Sequence, residues 1–167
     1  MINYRYICLA FSVLLFSIPT QASTHRYTNR TVQEIAKEKD VKCLARNIYH
    51  EAANEPEEGM VAVGVVTLNR VKDPDYPKTV CGVVTQRKSA KKLRNCQFTW
   101  VCQRIAAPNT IDPRWQKSVH IAKKLAAGGY PRWRTKYANA MHYHAVYVHP
   151  GWNYPRITRI GAHIYYK

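Results

Sequence analysis

The sequence predicts an α+β domain, helical through most of its length and closed by a small antiparallel sheet. Three observations carry that prediction. Apolar residues recur at helical spacing from Val41 to Val71 and again from Trp115 to Leu125. From His142 the period changes to two, with His142, His144, Val146 and Val148 on one side and Tyr143, Ala145 and Tyr147 on the other. Helices come first and strands later, the α+β order rather than the alternating one. A chain of 167 residues can bury one real core but not two good ones.

In chain order, Arg5 precedes an apolar run from Ile7 to Ile18, and Pro19-Thr20-Gln21-Ala22 ends in the small-x-small pattern of a signal-peptidase site. Residues 1–22 therefore read as a cleaved signal peptide. The run of about 12 apolar residues falls short of the roughly 20 that span a bilayer, so no stable membrane insertion is expected after cleavage. A buried N-terminal helix and a retained anchor are the other two readings of this segment. Ser23 to Asp40 is a polar lead-in, with a helix start near Thr31, and the folded domain is placed at 41–167. The first core helix runs from Val41 to Asn54. In the second, Pro56 suits the first turn, Glu57 and Glu58 favour the positive end, and Met60 to Val71 is apolar nearly all round. That pattern belongs to a central buried helix.

Asp73-Pro74-Asp75-Tyr76-Pro77 breaks the chain, and Thr79 to Gln86 is a short apolar element of either type. Lys88 to Arg94 reads as an exposed basic loop, and Cys96 to Cys102 alternates like a strand. Asp112-Pro113 starts another helix, which turns Trp115, Val119, Ala122 and Leu125 inward and ends at Gly128-Gly129. Pro150-Gly151 and Pro155 interrupt the final region, and Thr158 to Tyr166 reads as a partner strand.

Removing residues 1–22 leaves Cys43, Cys81, Cys96 and Cys102. Four cysteines in an exported domain imply two disulfides, with three possible pairings. A zinc knuckle fits poorly, because no C-x-x-C pair is present. The 26 Lys and Arg against 10 Asp and Glu, a formal +16, steer the chain toward polyanions such as nucleic acid, a membrane surface or an anionic cell wall. Export removes nucleic acid as a partner, and the scattered placement of the basic residues also fits a plain solvated surface.

Glu51 breaks the pattern. Leu44, Ile48 and Glu51 stand at i, i+4 and i+7, so a carboxyl occupies a core position. Acids seldom sit there unless they are used. The negative helix end and desolvation both push its pKa upward, which suits a general acid toward a glycosidic oxygen that then works as a base. A simple glycosidase needs a second carboxylate roughly 5 to 9.5 Å away. Here Glu57, Glu58 and Asp112 read as helix starts, Asp73 and Asp75 as turn residues, and Glu55 lies one turn beyond Glu51. A single catalytic acid, with no cofactor, is the expectation.

The segments Cys43 to Ala52, Glu58 to Val71, Tyr76 to Val84 and Cys96 to Trp100 together resemble the SleB/CwlJ-type cell wall hydrolases. So does the ending, with His142-Tyr143-His144, Val148 to Trp152 and Ile160 to Tyr166. The resemblance covers about residues 41–167. It implies a lysozyme-like fold, related to goose-type lysozymes and lytic transglycosylases, acting on the glycan strands of peptidoglycan with Glu51 as acid and base. A lytic transglycosylase cuts the MurNAc-GlcNAc linkage without water, the MurNAc C6 hydroxyl closing a 1,6-anhydro ring, and so needs one carboxyl. Ala53-Asn54 departs from the Arg-Gly usual there. Tyr143, His144, Gln97 and Thr99 are the candidates for positioning substrate. Tyr49, Phe98, Trp100, Tyr147 and Trp152 are each core residue or sugar platform.

The histidines offer another chemistry. His142 and His144 with His149 or His163 would supply a zinc amidase, but His-Tyr-His lacks a diagnostic ligand spacing, and no metal site is assigned. A noncatalytic wall-binding module, held by positive charge, is the third reading.

Overall fold

The computed structural model describes residues 32–87 and 95–167. Residues 1–22, expected to be a signal peptide, the first part of the lead-in, and residues 88–94, expected to be a basic loop, lie outside the described residues. Residues 31–167 form one compact unit.

Among the described residues six helices precede or flank a three-stranded sheet: α1 (Val32–Ala52), α2 (Glu57–Lys72), α3 (Val80–Thr85), α4 (Thr99–Cys102), α5 (Pro113–Ala126) and α6 (Pro131–Lys136), then β1 (His142–Ala145), β2 (Arg156–Ile160) and β3 (His163–Tyr166). The helix expected from Val41 begins at Val32 and crosses the boundary drawn at residue 41. Lys37, Glu38 and Lys39 form an exposed turn of it, which is why the segment lacks core residues. Asp40 ties this turn to α3, its Oδ1 accepting the Cys81 amide at 3.0 Å.

Helix α2 is the centre, buried from Gly59 to Thr67 and again at Arg70. It packs against α1, α3, α5 and α6. Gly64 lets the helices close on one another, since a Cβ there would meet Leu125 Cδ1 at 2.5 Å and Ile48 Cδ1 at 3.1 Å. Asp112 caps α5 by accepting the Arg114 amide at 2.8 Å, with proline at the first turn as the sequence requires.

Three expectations about elements are corrected. Cys96 to Cys102 is not a strand: Cys96 makes one bridge to Arg87, and the chain then turns into α4. The reason is covalent. Cys96 and Cys102 are disulfide-bonded with Cα atoms 5.7 Å apart, whereas six extended steps would span about 20 Å. The second disulfide joins Cys43 to Cys81, stapling α1 to α3. Thr158 to Tyr166 is not one strand but a hairpin, β2 and β3, turning at Gly161-Ala162. Strand β1 stops at Ala145, three residues before Val148.

The sheet order is β1-β3-β2, antiparallel throughout, with Tyr143 opposite Tyr165 and His142 opposite Tyr166. Its inner face rests on α2, where Tyr165 is fully buried and donates to the Gly59 carbonyl at 3.2 Å.

Candidate functional site

Glu51 sits in the last turn of α1, one side of which is fixed by Leu44 and Ile48, both essentially without solvent contact. Its carboxyl is only partly buried, so it stands at the edge of the core rather than within it. The Tyr143 hydroxyl donates to Glu51 Oε2 at 3.1 Å, linking the end of α1 to the inner face of β1. Removal from water raises the Glu51 pKa; the Tyr143 hydrogen bond and the Arg70 charge oppose that rise without cancelling it. Burial drives the Tyr143 pKa well up, so its phenol stays protonated and remains a donor.

Arg70 is the residue of this group that the sequence reading passes over. It is 3% exposed. Its Nε donates to the Met141 carbonyl at 2.9 Å, its guanidinium lies 5.5 Å from the ring centres of both Tyr76 and Phe98, and its Nη1 is buried with no hydrogen-bond partner. Desolvation lowers its pKa, opposed by Tyr143, Tyr76 and Glu51. A buried guanidinium with a spare donor therefore acts on the carboxyl through its charge. The signal for it is slight, an arginine four residues after Val66 on a helix otherwise apolar on that side.

The other acids have other partners. Glu55 accepts the Ala162 amide at 3.1 Å and braces the β2–β3 turn, where Gly161 has a φ of +53° and its α-carbon faces the Glu55 carboxylate too closely for any side chain. Glu57 accepts the Tyr130 hydroxyl at 2.9 Å. Glu58 accepts Lys136 at 2.8 Å and Tyr137 at 2.5 Å, and both hold its pKa down. Asp112 takes the Tyr49 hydroxyl at 2.7 Å and the Arg114 guanidinium at 2.8 Å. Asp73 accepts the Asp75 amide at 2.9 Å, as a turn residue should.

The four residues expected to position substrate do not converge. Tyr143 reaches Glu51. His144, one residue on, faces the opposite side of the sheet, because successive strand residues alternate. Its ring stacks on Tyr166, Nδ1–H donates to the Ala145 carbonyl at 2.9 Å, and Nε2 accepts the Tyr166 hydroxyl at 2.9 Å. Gln97 lines a depression of about 510 Å³ beside Tyr76 and Met141, and Thr99 is exposed at the start of α4. A larger cavity of about 560 Å³, bounded by Val65, Leu68 and Asn139, does not include Glu51.

The aromatic residues divide likewise. Phe98 and Trp100 are buried, the latter donating to Asn47 Oδ1 at 3.2 Å and stacked with His50 at 4.4 Å. Tyr49 packs edge-on against Trp115, and Tyr147 is 80% exposed. Trp152 belongs to a ring cluster on the outer sheet face with His142, His144, Tyr154 and Tyr166. His163 lies against Tyr143 on the inner face, across the sheet from that cluster. Among the described residues no group of three His, Cys, Asp or Glu is placed to hold a metal ion.

A Cell Wall Hydrolase family model matches residues 54–166, beginning just after Glu51. Spore cortex-lytic enzymes of Bacillus cereus and Bacillus subtilis are 29% and 28% identical over 131 and 128 residues. These stretches are 77% and 75% of this chain but only 44% and 37% of those proteins' lengths. The catalytic domain of Bacillus cereus SleB superposes with a TM-score of 0.58 at 28% identity, covering 78% of this chain and 91% of that domain. The catalytic domain of the germination-specific lytic transglycosylase SleB of Bacillus anthracis gives 0.58 at 29% identity, covering 78% and 95%. The α+β, lysozyme-like fold expected from the sequence is the one these domains share.

Proposed function

The chain belongs to the Cell Wall Hydrolase family, and from that membership we propose that it cleaves the MurNAc-GlcNAc linkage of peptidoglycan as a lytic transglycosylase, with Glu51 as its acid and base. The observation that carries the proposal is a partly buried carboxyl, raised in pKa by desolvation and hydrogen-bonded on one oxygen by Tyr143. Tyr143 occupies Oε2, which leaves Oε1 to carry the proton toward the glycosidic oxygen. Protonation of that oxygen lets the bond break, and positive charge builds on the MurNAc ring. The new Glu51 carboxylate then takes the proton of the MurNAc C6 hydroxyl, whose oxygen closes the 1,6-anhydro ring. Both steps use one carboxyl, and the partners of the other acids named above leave Glu51 as the acid suited to them. The similar Bacillus anthracis domain is itself a lytic transglycosylase, which supports the same class of reaction here.

Export through residues 1–22 to a periplasmic or extracellular space is part of this proposal. The two disulfides support it, since such bonds persist in oxidising compartments. Among the described residues no helix is long and apolar enough to cross a membrane.

Digestion of purified peptidoglycan with mass analysis of the fragments tests the reaction. Anhydro-MurNAc ends are expected. New reducing ends would make the enzyme a hydrolytic lysozyme, free stem peptides an amidase, and intact substrate a binding module. Undiminished activity in Glu51→Gln would overturn the assignment of the acid.

A further inference from the structure

We propose that the small cavity between Arg46, Trp100, Arg104 and Ile105 is a binding site for an aliphatic carboxylate, of the kind carried by the peptide stems of peptidoglycan. Naming the stems as its source rests on the wall-cleaving reading above; the site itself is separate from Glu51. Its volume is about 220 Å³, with Val84 and Val101 among the other walls. Ordinary ligand pockets run from roughly 300 to 1,000 Å³, so this one suits a single residue-sized group and not a strand of sugars. Arg46 and Glu51 share α1 but stand five residues apart, about 140° round the helix, so the cavity lies on another side of α1 from the carboxyl.

Two guanidiniums meet an otherwise largely apolar cavity, and the fold pairs neither with an acid. The Arg46 guanidinium stands 5.3 Å from the Trp100 ring centre, and its Nε is buried with no hydrogen-bond partner. The indole beneath it is fixed in turn, stacked with His50 at 4.4 Å and donating to Asn47 Oδ1 at 3.2 Å. Arg104 follows α4 in the left-handed conformation, with a φ of +53°. Its amide donates to the Val101 carbonyl at 3.3 Å and the Ile105 amide to the Trp100 carbonyl at 3.3 Å, the bonding of a helix end whose left-handed position is usually glycine. A side chain strains that position, and among the described residues no ion pair accounts for an arginine there.

An unpaired guanidinium presents its donors in a planar fork, which a carboxylate meets with two parallel hydrogen bonds. Among the described residues no Asp or Glu lines the cavity to compete for that fork. Trp100, Val84, Val101 and Ile105 supply an apolar surround, and Ile105 is 44% exposed, which favours an aliphatic body over a hydrated phosphate. The site is also held ready. The Cys43–Cys81 disulfide ties α1 to α3 on one side, and Cys96–Cys102 closes the segment that carries Trp100, so little freedom is lost on binding. Peptide stems built of small aliphatic residues with free carboxylates have the matching chemistry.

The probes are N-acetyl-D-alanyl-D-alanine, its C-terminal amide and inorganic phosphate, each titrated into the full chain and followed by NMR shifts and calorimetry. The free carboxylate is expected to bind about tenfold tighter than the amide, with shifts centred on Trp100 and Ile105. Arg46→Gln and Arg104→Gln are each expected to weaken it about tenfold, while Arg132→Gln, exposed on α6, is expected to stay within about twofold. Retained near-ultraviolet dichroism checks that each variant is folded. Arg46→Lys, which keeps the charge and loses the fork, takes the place of Arg46→Gln where that one is not, with the same direction expected. Equal affinity for acid and amide, phosphate bound more tightly than the peptide, unchanged affinity in the folded arginine variants, or no binding at millimolar probe overturns the site. Digestion of peptidoglycan separates this from the activity: wild type is expected to prefer intact peptidoglycan severalfold over glycan stripped of its stems, and Arg46→Gln to lose that preference. Cleavage with no such preference removes the stem assignment and keeps the activity, while carboxylate binding without cleavage removes the activity and keeps the site.

Discussion

Glu51 and Asp112 have the same kinds of neighbour and opposite acidities. Each carboxyl accepts a tyrosine hydroxyl, Tyr143 at 3.1 Å and Tyr49 at 2.7 Å, and each has an arginine close by. Yet Glu51 is raised above the ordinary glutamate value while Asp112 is held well below the ordinary aspartate value. The difference lies in where the arginine spends its donors: direct hydrogen bonds dominate at Asp112, desolvation at Glu51. Arg114, itself more than half exposed, gives Asp112 two direct hydrogen bonds, at 2.8 and 3.2 Å. Arg70 gives its Nε to the Met141 carbonyl, and burial acts on both it and Glu51. Pairs of acids pushed apart in this way separate a proton donor from a permanent anion. Contact and solvation decide the role; the roster of neighbouring residue types does not.

The sharpest way to break this comparison is to neutralise each acid in turn. Glu51→Gln is expected to cut the rate of peptidoglycan cleavage by about 10² to 10⁴-fold, the usual worth of a positioned general acid and base. Asp112→Asn keeps a side chain that can cap α5 and is expected to stay within about twofold of wild type. Turbidity loss of a wall suspension measures both. Equal losses would mean that the two carboxyls are not functionally distinct.

Next in size are the tyrosines. Loss of the Tyr143 hydroxyl removes a hydrogen bond that favours the ionised carboxylate, so Tyr143→Phe should raise the Glu51 pKa further. Because the first step needs the protonated acid, activity falls as pH rises through that pKa, and the alkaline limb of the pH–rate profile moves to higher pH in the variant. The maximum rate is expected to stay within about tenfold. Tyr49→Phe should leave the limb where it is, since its hydroxyl serves Asp112.

Glu51 was legible in sequence because helical periodicity is local: Leu44, Ile48 and Glu51 share a face whatever surrounds them. The buried run of α2 and the cap of α5 were legible for the same reason. Arg70 was not, because its burial depends on Phe98, Tyr76 and Met141, brought together from three other segments. Alternation along β1 put Tyr143 and His144 on opposite faces, but only packing against α1 decided which face meets Glu51. Cys96 to Cys102 misled because seven alternating residues look alike in a strand and in a loop closed by a disulfide. Helix α6 is six residues with no buried side chain, so it left no apolar pattern to read.

The smallest expected effect is on stability, and here the two acids should differ in sign. Glu51 has a folded pKa above its unfolded value, which is near 4.3. Between those two values the folded state binds the extra proton, so wild type loses stability relative to Glu51→Gln as pH rises from about 4.3 through the folded pKa, and the gap is constant above it. Asp112 has a folded pKa below its unfolded value, near 3.9. Its contribution is fully present above about pH 4 and is lost as pH falls through the folded pKa, so Asp112→Asn should melt below wild type at neutral pH and converge with it in acid. Melting curves from pH 3 to 8 would therefore show Glu51→Gln above wild type and Asp112→Asn below it at neutral pH, both gaps closing toward low pH. A Glu51→Gln variant that melts below wild type at pH 7 would mean that Tyr143 and Arg70 outweigh desolvation, and that the carboxyl is an anion in the resting enzyme and not the proton donor proposed for it.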